Sequence, residues 1–126
     1  MKKIQKIALL TSLFFGLTNI HAEDLTDDQT LGLCLVAAGN IAEGTIKGLN
    51  DQDSIKKAKV ITRAIILAKK EQGKDPKKIF ASESEFNVIN NYFVYAKPSD
   101  QKNMFALCYA GLPPDLAAKL YKEIGN

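Results

Sequence analysis

Cys34 and Cys108 are the two cysteines of this 126-residue sequence, and they are its most direct source of covalent chemistry. Each sits among apolar neighbours, in Leu33-Cys34-Leu35 and Leu107-Cys108-Tyr109, so both are expected to face a core. Their separation is far from Cys-x-x-Cys, and nothing adjacent would lower a thiol pKa. The expected product is therefore one structural disulfide rather than a redox pair. The loop it closes, of about 75 residues, is worth roughly 4 to 5 kcal/mol in the chain-entropy model.

The second feature with chemical content is a set of bases. Lys56, Lys59, Arg63 and Lys70 fall within an arc of about 60° when residues 54–72 are wound at helical pitch. Such a stripe can grip an acidic partner protein, an anionic lipid headgroup or nucleic acid, or it can be the solvated face of an amphipathic helix. A third feature is the run Asn90-Asn91-Tyr92-Phe93-Val94-Tyr95. Tyr92 follows the apolar period of Phe86 and Ile89, whereas Tyr95 lies off the middle of that face. Tyrosines with asparagines suit a protein interface, so Tyr92 and Tyr95 join the four bases as candidate partner-binding residues.

Enzymatic constellations are sparse. His21 is the single histidine, and it lies in a segment expected to be removed. Without it no Ser-His-Asp or Cys-His mechanism is available. With both cysteines oxidised, no zinc or iron–sulfur site remains. Asp51-x-Asp53 resembles the opening of a calcium loop, but Ile55 stands at its fifth position, no Gly follows in place, and Thr62 stands where the loop needs Glu. There is no phosphate-binding glycine loop. Glu83 and Glu85 are the nearest thing to a carboxylate pair. Their spacing points them to different helix faces, and stabilisation of a helix start explains them better. No cofactor, metal or catalytic residue is expected.

The elements that would position these residues are helical throughout. Thr26-Asp27-Asp28-Gln29 reads as a capping box, followed by apolar residues at three- and four-residue steps through Leu31, Cys34, Ala38, Ile41 and Leu49. Gly32, Gly39, Gly44 and Gly48 imply either close approach of another helix or a break near 39–44. Polar residues 50–54 then precede a helix over about 54–72, with Gly73 at its C-terminal end. Further helices are expected at about 76–81, 85–96 with Ser82 or Ser84 as cap, 100–110 with Ser99 or Asp100 as cap, and 114–124 started by Pro114. Phe93-Val94-Tyr95 is too short to argue for a strand. The fold class is therefore all-α, a compact bundle of five or six helices cross-linked by one disulfide.

Residues 1–22 carry the marks of a secretory signal. Lys2, Lys3 and Lys6 precede an apolar run from Ile7 to Leu17, and Ile20-His21-Ala22 offers a cleavage site. The run is too short to span a bilayer. Residues 23–126 then form a single helical domain. The full sequence has a formal charge of +3, but cleavage removes three lysines and leaves 14 bases against 14 acids. The charge is sorted along the chain, −6 over residues 23–53, +7 over 54–78 and −1 over 79–126. A neutral exported chain is not expected to bind nucleic acid, nor to insert stably in a membrane after cleavage.

The expected function is a small exported, non-enzymatic binding protein of the bacterial cell envelope with a protein partner. It would be periplasmic, or alternatively secreted. Its most specific form is an inhibitor or immunity protein against a toxin. The alternatives are a periplasmic stress or chaperone-like helical protein, and a small carboxylate-dependent enzyme.

Overall fold

A computed structural model describes residues 27–75 and 78–125. The expected signal segment, with His21 and its cleavage site, and Thr26 of the capping box lie outside the described residues. Five helices follow in order: α1 (Asp27–Ala42), α2 (Gln52–Glu71), α3 (Glu83–Val94), α4 (Pro98–Ala110) and α5 (Pro114–Ile124). The all-α expectation holds, with five helices packed compactly and Cys34 joined to Cys108.

Five consecutive residues of α1, Thr30 to Cys34, are buried. At 100° per residue five positions cover the whole circumference, so α1 is enclosed on all sides there, as expected of a helix without a polar face. α2, α3 and α4 pack around it, and α5 packs on α2. The core includes Ile41, Val60, Ile61, Ile65, Phe93 and Met104. Burying a side chain such as Phe93 contributes about 2 to 3 kcal/mol. Cys34 and Cys108 are both 1% exposed, so the disulfide lies inside this core.

Helix ends follow local chemistry. Asp51 caps α2, its Oδ2 accepting from the Ser54 N–H at 3.1 Å while the Ser54 hydroxyl donates to Oδ1 at 2.6 Å. At the other end Gly73 has a φ of +72°. The Gly73 N–H bonds the Lys70 carbonyl at 2.9 Å and the Lys74 N–H bonds that of Lys69 at 3.0 Å, the pattern of a Schellman stop. Ser82 caps α3 through the Glu85 N–H, and Glu85 reaches back to the Ala81 N–H at 3.0 Å. Gln101 of α4 donates to the Phe93 and Val94 carbonyls at 3.0 and 3.3 Å, capping the end of α3 with a side chain. The buried ammonium of Lys69, in the last turn of α2, pairs with Asp28 in the first turn of α1.

Several boundaries differ from the sequence expectation. α1 ends at Ala42, not Leu49, because Gly44 and Gly48 adopt φ of +76° and +85°, a conformation that helix residues do not use. Of the short helix expected over 76–81, Lys78 is 3-10 helical and residues 79–82 bend away from it; residues 76 and 77 lie outside the described residues. α3 starts two residues early and ends at Val94. α4 starts at Pro98, with Lys97 at the cap position and neither Ser99 nor Asp100 serving as the cap.

Candidate functional site

The basic stripe lies along the outer face of α2. Lys59, Arg63 and Lys70 are exposed, and among the described residues they have no ion-pair partner. Leu67, between Arg63 and Lys70 along the helix, is 40% exposed on the same line. Lys56 is half-buried, its ammonium 4.1 Å from the centroid of the Tyr121 ring.

Tyr121 organises that end of the stripe. Its hydroxyl donates to Asp53 Oδ1 at 2.7 Å, and Lys57 pairs with Asp53 Oδ2 at 3.1 Å. The hydrogen bond from Tyr121, followed by that from Lys57, holds the Asp53 carboxyl below the usual carboxylate range. The same bond to Asp53 raises the Tyr121 phenol. Asp51 is lowered too, chiefly by the Ser54 hydroxyl and N–H it accepts. Lys57 also lies 5.4 Å from the Tyr109 ring centroid. The start of α2 thus grips both α4 and α5 through cation–π contacts. Beside it a groove of about 660 Å³ opens between α2 and α5, lined by Gln52, Ile55, Lys56, Lys59, Tyr121 and Ile124.

The second candidate surface is α3. Tyr92 is half-buried against the core, whereas Tyr95, the C-cap residue, is 83% exposed. The pair therefore does not form one patch. Tyr95 belongs instead to an outer face with Asn87, Val88, Asn91 and Val94, all exposed, while Phe86, nine residues from Tyr95, lies on the α1 side of the helix. Val88 is 65% and Phe86 40% exposed. Phe86 is held edge-on to Phe80, with centroids 5.1 Å apart. A smaller groove of about 260 Å³ runs along the α1 side of this face, past Leu35, Gly39, Phe80 and Phe86. Asn40 donates to Asn90 Oδ1 across it at 3.2 Å. α2 and α3 each pack on α1, so the structure does not merge the basic stripe and Tyr95 into one site.

Glu83 is exposed, and Glu85 is engaged by the Ala81 N–H and by Gln29 Nε2 at 3.4 Å. Among the described residues no group of three or more His, Cys, Asp or Glu is placed to hold a metal ion. None of the described helices is long and apolar enough to cross a membrane.

Sequence reasoning missed Tyr121, Asp53, Val88 and Phe86 as surface elements. Tyr121 and Asp53 are 68 positions apart, and no one-dimensional signal links them. Val88 and Phe86 were legible in part, since Phe86–Ala96 is an eleven-residue run without a charge. Comparison with family models finds no match, and comparison with curated proteins and with solved structures finds no similar chain.

Proposed function

We propose that this chain is an exported, non-enzymatic protein-binding domain of the bacterial cell envelope. Its most specific form would be an inhibitor or immunity protein that covers a toxin. The observation that carries the reading is the outer face of α3. It exposes Val88, Val94 and Tyr95 among Asn87 and Asn91 and carries no charge from Phe86 to Ala96. Small soluble domains seldom leave apolar and aromatic side chains grouped in this way unless a partner covers them. Tyrosine in such a setting is a frequent energetic anchor, because it buries a large rigid area at low entropic cost.

Two further features support the reading. A disulfide closing most of the domain suits an oxidising compartment such as the periplasm. Of Glu83 and Glu85, the nearest thing to a carboxylate pair, Glu85 is engaged in capping the start of α3.

The test is capture of a stoichiometric partner from envelope extract by the oxidised protein, with Tyr95→Ala as control. Recovery of one partner that the variant loses supports the reading. Recovery of no stoichiometric partner counts against it. The exposed α3 face also fits a stress or chaperone-like protein. That alternative predicts a rise in ANS binding with loss of near-UV circular dichroism between about pH 7 and pH 2.

A further inference from the structure

Resting on the protein-binding reading, we propose that the outer face of α2, with the groove it forms against α5, docks an acidic amphipathic helix of a protein partner. From Ser54 to Lys70 the sequence of α2 contains six bases and no acid. Lys56, Lys59, Arg63 and Lys70 stand along one line over about 21 Å of helix. The exposed members have no ion pair among the described residues. Asp53, the acid at the near end, is held by Tyr121 and Lys57. The stripe is therefore not neutralised from within the described fold.

The spacing of the stripe fits a helix. Its bases recur at steps of three, four and seven residues. An α-helix laid alongside presents carboxylates at the same steps, as charged positions do across a helix pair. The groove between α2 and α5, with Ile55, Tyr121 and Ile124 in its lining, offers a seat for one apolar side chain of that helix. Leu67 gives a second apolar contact between Arg63 and Lys70. Lys56 is held over the Tyr121 ring, so one cation of the site is oriented before the partner arrives.

An anionic membrane is the weaker match. A helix that lies on a bilayer needs an apolar face to insert. The apolar face of α2, with Ala58, Ile61, Ala64, Ile65 and Ala68, is spent in the core. Leu67 is the one exposed large apolar residue that remains on this helix.

The test uses fluorescence anisotropy on the oxidised protein. One probe is a fluorescein-labelled synthetic helical peptide with Glu at three- and four-residue steps and a single Leu. The control is a peptide of the same composition, scrambled so that its acids share no face. The site predicts that the patterned peptide binds about tenfold more tightly, the effect expected of three exposed charge pairs. The preference disappears in the Lys59→Ala/Arg63→Ala/Lys70→Ala variant, whose melting curve should match the parent because these side chains are exposed. Equal binding of both peptides overturns the proposal, as does preferential sedimentation with phosphatidylglycerol vesicles. An envelope partner lost by Tyr95→Ala but fully retained by the triple variant overturns the α2 site and leaves the binding reading standing. Absence of any partner overturns the reading beneath it.

Discussion

Tyr121 donates its hydroxyl to Asp53 Oδ1 at 2.7 Å, tying the last turn of α5 to the first turn of α2. This bond is the largest cause of the lowered Asp53 pKa and of the raised Tyr121 pKa. The two shifts are faces of one interaction, since the bond is strongest between a neutral phenol and an ionised carboxylate.

The pH dependence follows from the signs. Asp53 and Asp51 are both lowered by folding, so their contribution is present above the ordinary carboxylate range. It is lost as pH falls through their lowered values. Tyr121 is raised, so its contribution is present below the ordinary phenol value and is lost as pH rises through its own. In a Tyr121→Phe variant the Asp53 titration, followed by carboxyl-carbon NMR, should move up toward the ordinary value. The Asp51 titration, set mainly by Ser54, should stay in place. An unmoved Asp53 would refute the assignment.

The disulfide is the largest single stabiliser that can be named. Its cysteines are 74 positions apart, and a loop of that size corresponds to about 4 kcal/mol in the chain-entropy model. Reduction, or the double substitution Cys34→Ser/Cys108→Ser, should lower the unfolding free energy by about that amount. Urea denaturation with and without reductant measures it. An unchanged midpoint would show that the cross-link does little to this fold.

The glycines of α1 make a paired prediction. A Cβ at Gly32 would lie 2.7 Å from Phe80 Cε1, whereas one at Gly39 would meet nothing within 4 Å. Gly32→Ala should destabilise by about 1 kcal/mol, overpacking against Phe80 exceeding the gain in helix propensity. Gly39→Ala, in open space on a helix, should stabilise by about 0.5 to 1 kcal/mol. Thermal melts of both variants decide the matter, and equal effects of the same sign would contradict it.

What the sequence revealed was what local chemistry controls. Ser82, Gly73 and Pro114 mark their helix ends because capping, left-handed stops and a missing N–H act within a few residues. The cysteines announced themselves as core residues through their neighbours. The four glycines were ambiguous because two different causes produce the same letter. Gly32 admits Phe80, while Gly44 and Gly48 end the helix by backbone conformation. Ser99 and Asp100 looked like caps, yet the chain needed Gln101 to reach the end of α3, and α4 begins at Pro98 instead. The stripe on α2 was legible because it lies on one helix. Its anchoring to Tyr121 was not, because that contact depends on how α5 packs on α2. Tyr92 and Tyr95 are three residues apart on a helix, but the end of α3 turns one inward and leaves the other in water.

The central claim is that the α3 face around Tyr95 and Val88 is where a protein partner binds. Quantitative capture from envelope extract, with parent protein, Tyr95→Ala and Val88→Ser compared at equal loading, tests it most directly. The prediction is one partner at a stoichiometric level with the parent and a loss of that partner in both variants, whose melting temperatures match the parent because both residues are exposed. A partner retained in full by both variants, or no stoichiometric partner at all, would contradict it.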